Sequence, residues 1–195
     1  MPAAWARRLI CAALMSCPVA AQSQLSELHF GGLVSYATGN AFQEGVGATV
    51  SYAPARLAYM GVRWVYYFGS TEQGIDATGT FSVTNRTQLF AADLGLQYPV
   101  GPVELMAGMT IGAVRFAQTI LPGAATSGAS TTGISTEFMI GPTVLAQIRA
   151  GPIMVIPQVA YLFAGSPDLP WPVDHSGLAL SLLIVVPIER DRIRY

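Results

Sequence analysis

The chain is 195 residues long, a length for one domain, and 52% of it is apolar against 11% charged, where ordinary soluble domains carry about 25% charge. The mean hydropathy of +0.45 excludes intrinsic disorder, and 20 Gly with 13 Pro exclude a helical bundle. A net charge of −1, with every base an Arg and no Lys, leaves no footprint for nucleic acid.

The N-terminus predicts a signal peptide over residues 1–21. Arg7 and Arg8 form a positive start, Leu9 to Met15 a short apolar run, and Val19-Ala20-Ala21 a small-residue cleavage site. The alternative is a lipobox, Leu14-Met15-Ser16-Cys17, with Cys17 lipidated. Both cysteines, Cys11 and Cys17, lie here, so cleavage after Ala21 leaves no disulfide, thiol nucleophile or Cys-based metal site. Residues 22–195 then form a single domain. It has no run of about 20 apolar residues, so no transmembrane helix is available.

The apolar segments show period 2, the strand period. Val62, Trp64, Tyr66 and Phe68 share one face and Arg63 and Tyr67 the other; Phe90, Ala92, Leu94, Leu96 and Tyr98 alternate likewise around Asp93 and Gln97. Eight segments result, at 27–36, 44–53, 57–68, 87–98, 103–117, 136–149, 153–164 and 175–188. Most reach the 9–11 residues a tilted strand needs to cross a bilayer. Pro142 and Pro157 fall inside strands, where the missing N–H predicts a bulge or a locally open ladder.

Short and long connections alternate. Ala53-Pro54-Ala55-Arg56, Pro99-Val100-Gly101-Pro102 and Ala150-Gly151-Pro152 are tight, whereas the stretches near 37–43, 69–86, 118–135 and 165–174 read as longer loops. Aromatic residues gather at both segment ends. Tyr36, Phe42, Tyr66, Phe68, Phe90, Phe116, Phe138, Tyr161 and Phe163 adjoin long loops, and Phe30, Tyr52, Tyr59 and Tyr98 the short ones. Two interfacial girdles are expected.

With its export segment, eight alternating strands, alternating turns and aromatic terminal Tyr195, the chain resembles the small eight-stranded outer-membrane barrels of the OmpA/OmpX/OmpW type. The resemblance covers the mature chain by pattern. In the final ERDRIRY, only Ile193 and Tyr195 suggest the alternating end that such barrels show to their assembly machinery. It implies an all-β, antiparallel, up-and-down transmembrane barrel in a Gram-negative outer membrane. Its partners would be outer-membrane lipid, lipopolysaccharide and the barrel-assembly machinery. The expected state is a monomer, with the oligomeric state open. The alternative fold is a soluble lipocalin-like binder, disfavoured by so apolar an outer face.

If the apolar phase faces lipid, the inward phase holds His29, Thr49, Ser51, Arg63, Asp93, Gln97, Glu104, Thr110, Glu137, Thr143, Gln147, Arg149 and Gln158. An eight-stranded barrel is just wide enough for side chains to fill, and charges inside it must be paired. Arg63 with Asp93 and Glu104 with Arg149 are the expected pairs, since each lies at one level on neighbouring strands, and Glu137 joins the candidates. Apolar inward residues such as Leu33, Val65, Met106, Leu145 and Leu183 predict packing, or a passage for a small apolar solute as OmpW-like barrels imply.

Asp174-His175-Ser176 invites comparison with outer-membrane lipid hydrolases, which use Ser and His. Adjacent residues on a strand point to opposite faces, so the tripeptide cannot form a triad as written. His29 and His175 lie at opposite ends, and no metal site, cofactor or catalytic constellation is expected. A non-enzymatic envelope or loop-display barrel is the leading expectation, followed by a narrow channel or carrier for apolar solutes, then a lipid-modifying hydrolase.

Overall fold

A computed structural model describes residues 27–55, 57–76, 79–123 and 129–189. The expectations for the export segment, Cys17, Ile193 and Tyr195 fall outside these residues. The regular elements are strands: β1 (Glu27–Ala37), β2 (Gln43–Ala55), β3 (Ala58–Tyr67), β4 (Thr71–Asp76), β5 (Gly79–Val100), β6 (Val103–Pro122), β7 (Thr131–Ala150), β8 (Ile153–Ala164) and β9 (Ser176–Glu189). Their hydrogen-bonded order is β3-β2-β1-β9-β8-β7-β6-β5-β4, and β3 also pairs with β5. That extra pairing closes eight antiparallel strands into a barrel, with β4 outside the ring. Closure leaves no unpaired edge in the barrel wall.

The short-turn rim is built by glycine chemistry. Val100 pairs with Val103, and Ala150 with Ile153, so Gly101-Pro102 and Gly151-Pro152 are two-residue hairpin loops. Gly101 and Gly151 have φ of +61° and +66°. A positive φ followed by proline's fixed negative φ is the sign pattern of a type II′ turn, which suits the twist of paired strands. A Cβ at either glycine would meet nothing within 4 Å. The requirement is therefore conformational rather than spatial.

The two prolines open the β7–β8 ladder. Gly141 and Pro142 lack β8 partners, as do Ala146 and Gln147 where Pro157 and Ile156 would face them, yet the register is unchanged on either side. A missing N–H removes a bond without adding a residue, so the ladder gaps and does not bulge.

The strand period becomes an outer belt and an inner core. Val34, Val50, Val62, Leu94, Val144, Leu182, Ile184 and Val186 are exposed on the outside, while Leu33, Val65, Met106, Leu145, Ile156 and Leu183 are buried inside. A belt of this size fits lipid, not water. No described helix is long and apolar enough to cross a membrane; the crossing elements are strands.

One expected loop is instead sheet. The stretch 69–86 contains β4 and the first part of β5, which pair from Thr71 with Thr84 to Asp76 with Gly79. β5, β6 and β7 run for 22, 20 and 20 residues, against 12 for β8 and 10 for β3. Twenty residues make about 66 Å of strand, far more than a ~25 Å apolar band needs at ordinary tilt. The excess stands above the barrel as a raised sheet.

Candidate functional site

At mid-barrel, five strands send polar side chains to one point. Arg63 on β3 donates from Nη1 to Gln158 Oε1 on β8 at 2.5 Å, and from Nη2 to Thr110 Oγ1 on β6 at 3.3 Å. Its Nη2 lies 3.5 Å from Asp93 Oδ1 on β5. Thr110 donates to the same carboxylate oxygen at 2.5 Å. Gln158 Nε2 donates to Thr143 Oγ1 on β7, and Thr143 donates to the Val159 carbonyl. In the strand order, β3 and β8 are four steps apart either way round. The Arg63–Gln158 bond thus crosses the full diameter.

This crossbar is dry. Arg63 and Gln158 are each 2% exposed and Thr110 0%. Gln158, Thr110 and Thr143 each accept one bond and donate another, and the chain ends on the Asp93 carboxylate and the Val159 carbonyl, which polarises and orients the network. Arg63 Nε alone has no partner among its polar atoms, so the guanidinium depends on Asp93 for its charge balance.

Below the crossbar, towards the short-turn rim, His29 Nδ1 lies 3.2 Å from Ser51 Oγ, and the Tyr59 hydroxyl bonds the same serine. Gln97 and Gln147 are buried nearby along the strands. Glu104 is half-buried opposite Gln147, and Arg149 lies two residues further along β7, exposed. Glu137 is half-buried at the other end of β7 and accepts from Ser135. Inward parity therefore reaches water at the strand ends, and the interior expected for these three residues is only partial for Glu104 and Glu137 and absent for Arg149.

Above the crossbar the interior is aromatic, and here the expected girdle needs correction. Phe42 (0%) and Phe116 (1%) here, and Tyr59 (4%) below the crossbar, are inside the barrel, not on its lipid face. Phe42 packs edge-on against Tyr67 and Phe116, with centroids 5.4 and 5.9 Å apart. The reason is parity: Phe116 is six residues from inward Thr110, and Phe42 sits on a connection that folds into the mouth. The Thr87 hydroxyl donates to the Ala41 carbonyl and Phe68 N to Glu44 O, holding that connection down. Ser35 meets both the Tyr67 hydroxyl (3.0 Å) and Ser181 Oγ (2.8 Å). The remaining upper aromatics, Tyr36, Phe68, Phe90, Phe138, Tyr161 and Phe163, do face outwards, as does half-buried Tyr66, which packs against Phe68.

The mouth carries a lid, the segment 165–175 between β8 and β9. Gln118 Nε2 donates to the Trp171 carbonyl at 3.0 Å while its Oε1 accepts from Trp171 N at 2.8 Å. Gln118 also donates to Asn85 Oδ1, and Trp171 stacks edge-on against Phe81 at 5.0 Å. Leu169 and Val173 pack onto the core beneath. Asn85 and Gln118 lie in stretches whose inward phase can be followed only once the strands are seen to continue upwards, whereas Thr87 opens an expected strand and shares the parity of Asp93.

Asp174, His175 and Ser176 lie where this lid enters β9. Asp174 N bonds Asn40 Oδ1, the His175 carbonyl accepts from Ala164 N, and Ser176 pairs with Phe163. No side-chain hydrogen bond joins them among the described residues. Nor do those residues contain a group of three or more metal-ligating His, Cys, Asp or Glu.

No protein-family profile and no curated protein matches the chain. Solved structures do. The chain is similar to a major outer membrane protein from Thermus thermophilus, with a TM-score of 0.67 and 12% identity over 85% of this chain and 100% of that one. It is similar to Ail, the attachment invasion locus protein of Yersinia pestis, solved with the heparin analogue sucrose octasulfate (TM-score 0.54, 11% identity, 85% and 100% covered). Neisserial surface protein A gives a TM-score of 0.54 at 12% identity, with 85% and 97% covered. The chain has the fold of the small eight-stranded outer-membrane β-barrels.

Proposed function

We propose that the protein is a non-conducting, non-enzymatic barrel of a Gram-negative outer membrane, whose work is done by the raised sheet and loops it holds at the cell surface. Both barrel ends, at Glu27 and Glu189, pair at the short-turn rim, which this reading places in the periplasm, reached by export and barrel assembly. The observation that carries it is the filled lumen. Inward side chains at every level are nearly free of solvent, from Ile156 and Thr110 to Leu162 and Gln118, each at 0% exposure. A water column would leave such side chains wet, and a bound apolar solute would need space that Met106, Leu145, Ile156 and Leu183 occupy themselves.

The test is planar-bilayer recording and liposome swelling with the refolded mature chain, alongside a fatty-acid release assay on lipid substrates. The expected result is a protein that inserts, gives no conductance steps, admits no sugar and releases no fatty acid. Stepwise conductance, or uptake of a small apolar solute, would replace this reading with the channel or carrier. Fatty-acid release would replace it with the hydrolase.

A further inference from the structure

On one side of the barrel the outer face takes up charge at its upper end. Phe90 on β5, Ala113 on β6 and Phe138 on β7 lie in one register row, with Trp64 of β3 beside Phe90. Above this row the face is mixed: Tyr66 adjoins Gln88 and exposed Ile134 adjoins Ala117, with two arginines among them. One outward step higher, Arg115 stands between Gln88 and Thr136; a further step up, Arg86 stands beside Ala117. Arg86 and Arg115 are diagonal neighbours on adjacent strands, a Cα separation of about 7–8 Å. Both are exposed, and among the described residues neither side chain has a hydrogen bond or ion pair.

This pairing is costly where it stands. Like charges on neighbouring strands repel, and the chain spends its bases sparingly. Of the other described arginines, Arg63 is locked in the lumen and Arg149 lies at the opposite rim. Among the described residues no ion pair joins an acid to either. Glu44 is two strands away on β2, Glu72 is engaged by Ser70, and Glu137 has the inward parity of β7.

From this we infer that Arg86 and Arg115 form a clamp for the phosphate of an outer-leaflet phosphoglycolipid. The inference rests on the reading that the apolar belt lies in the outer membrane. Guanidinium forks suit a phosphate monoester, which can accept from both at once. Height selects the rest of the ligand: the forks sit at the headgroup level, directly above aromatic side chains that would lie against acyl chains. A free phosphate would use only the upper half of this surface, whereas an acylated, phosphorylated glucosamine disaccharide such as lipid A uses both.

The test refolds wild type, R86Q, R115Q and the double variant into phosphatidylcholine nanodiscs containing either bisphosphoryl lipid A or its dephosphorylated form. Native mass spectrometry then counts lipid retained by the released barrel. Wild type should retain the bisphosphoryl lipid, and the double variant should lose it by about tenfold, a loss of two charge-assisted contacts. The double Arg→Lys variant should keep part of the binding, and added salt should weaken it. Unchanged heat-modifiable gel mobility would show that all variants fold. Equal retention by the folded double variant, or equal retention of the dephosphorylated lipid by wild type, would overturn the clamp alone. Failure of wild type to enter any bilayer would overturn the membrane reading and the clamp with it.

Discussion

The interior is closed twice, at mid-barrel and at the mouth, by different chemistry. The crossbar ties β3 to β8 through a guanidinium whose charge is answered by one carboxylate. The lid is held by neutral bonds from Gln118 to a backbone and by aromatic edges. An ionised contact in a dry site is expensive to break on one side only, whereas a neutral bond to backbone has a modest net worth. The deep closure is therefore the permanent one, and the lid can loosen without the barrel noticing.

The most severe break in that comparison is removal of one crossbar partner. Asp93→Asn should cost about 3–5 kcal/mol, because the Arg63 guanidinium stays buried without its counter-charge. Urea unfolding in detergent of D93N, R63Q and their double variant forms the test, and strong non-additivity is expected. Additive single effects would mean that the two side chains act independently.

Phe116→Ala should cost about 3 kcal/mol, the loss of a buried ring and its cavity, and should lower the unfolding midpoint without changing conductance, since the crossbar below is intact. A conducting F116A would show that the aromatic layer, not the crossbar, is the true seal. Gly151→Ala tests the rim instead of the interior. Forcing a Cβ into positive φ should cost about 1–2 kcal/mol, read as a shifted unfolding midpoint, and an unshifted midpoint would contradict the II′ geometry.

The smallest global effect belongs to the lid. Gln118→Ala should cost about 1 kcal/mol overall while hydrogen exchange at Trp171 N–H rises steeply and exchange at the crossbar strands does not. Equal acceleration in both places would mean that the two closures open as one.

Much of the barrel was legible from parity. Val62, Trp64, Tyr66 and Phe68 alternate with Arg63 and Tyr67, and the structure turns the first set out and the second in. Parity failed where another rule was allowed to outrank it. The place of Phe116 near a long connection suggests a girdle, although counting by twos from Thr110 leads to the lumen. The raised sheet was hidden for a different reason. In Thr71-Glu72-Gln73-Gly74-Ile75 neither face is dry, with Ile75 80% exposed, so no alternation marks the strand. The lid's anchor left no trace at all, because Gln118 recognises a backbone, and every residue has one.

The β1–β9 seam has a consequence for how the molecule comes together. Glu27 pairs with Glu189, Ala37 pairs with Ala179, and every residue between is matched along the way. These are the most distant partners in the described chain, and contacts of such separation pay their loop-closure entropy before they return anything. The neighbouring hairpins can form early and locally, but the seam can form only when all the others have. Until it does, two complementary edges remain open to any other extended chain. Assembly is thus a race between the chain finding its own far end and finding a stranger's, which favours folding where strangers are excluded.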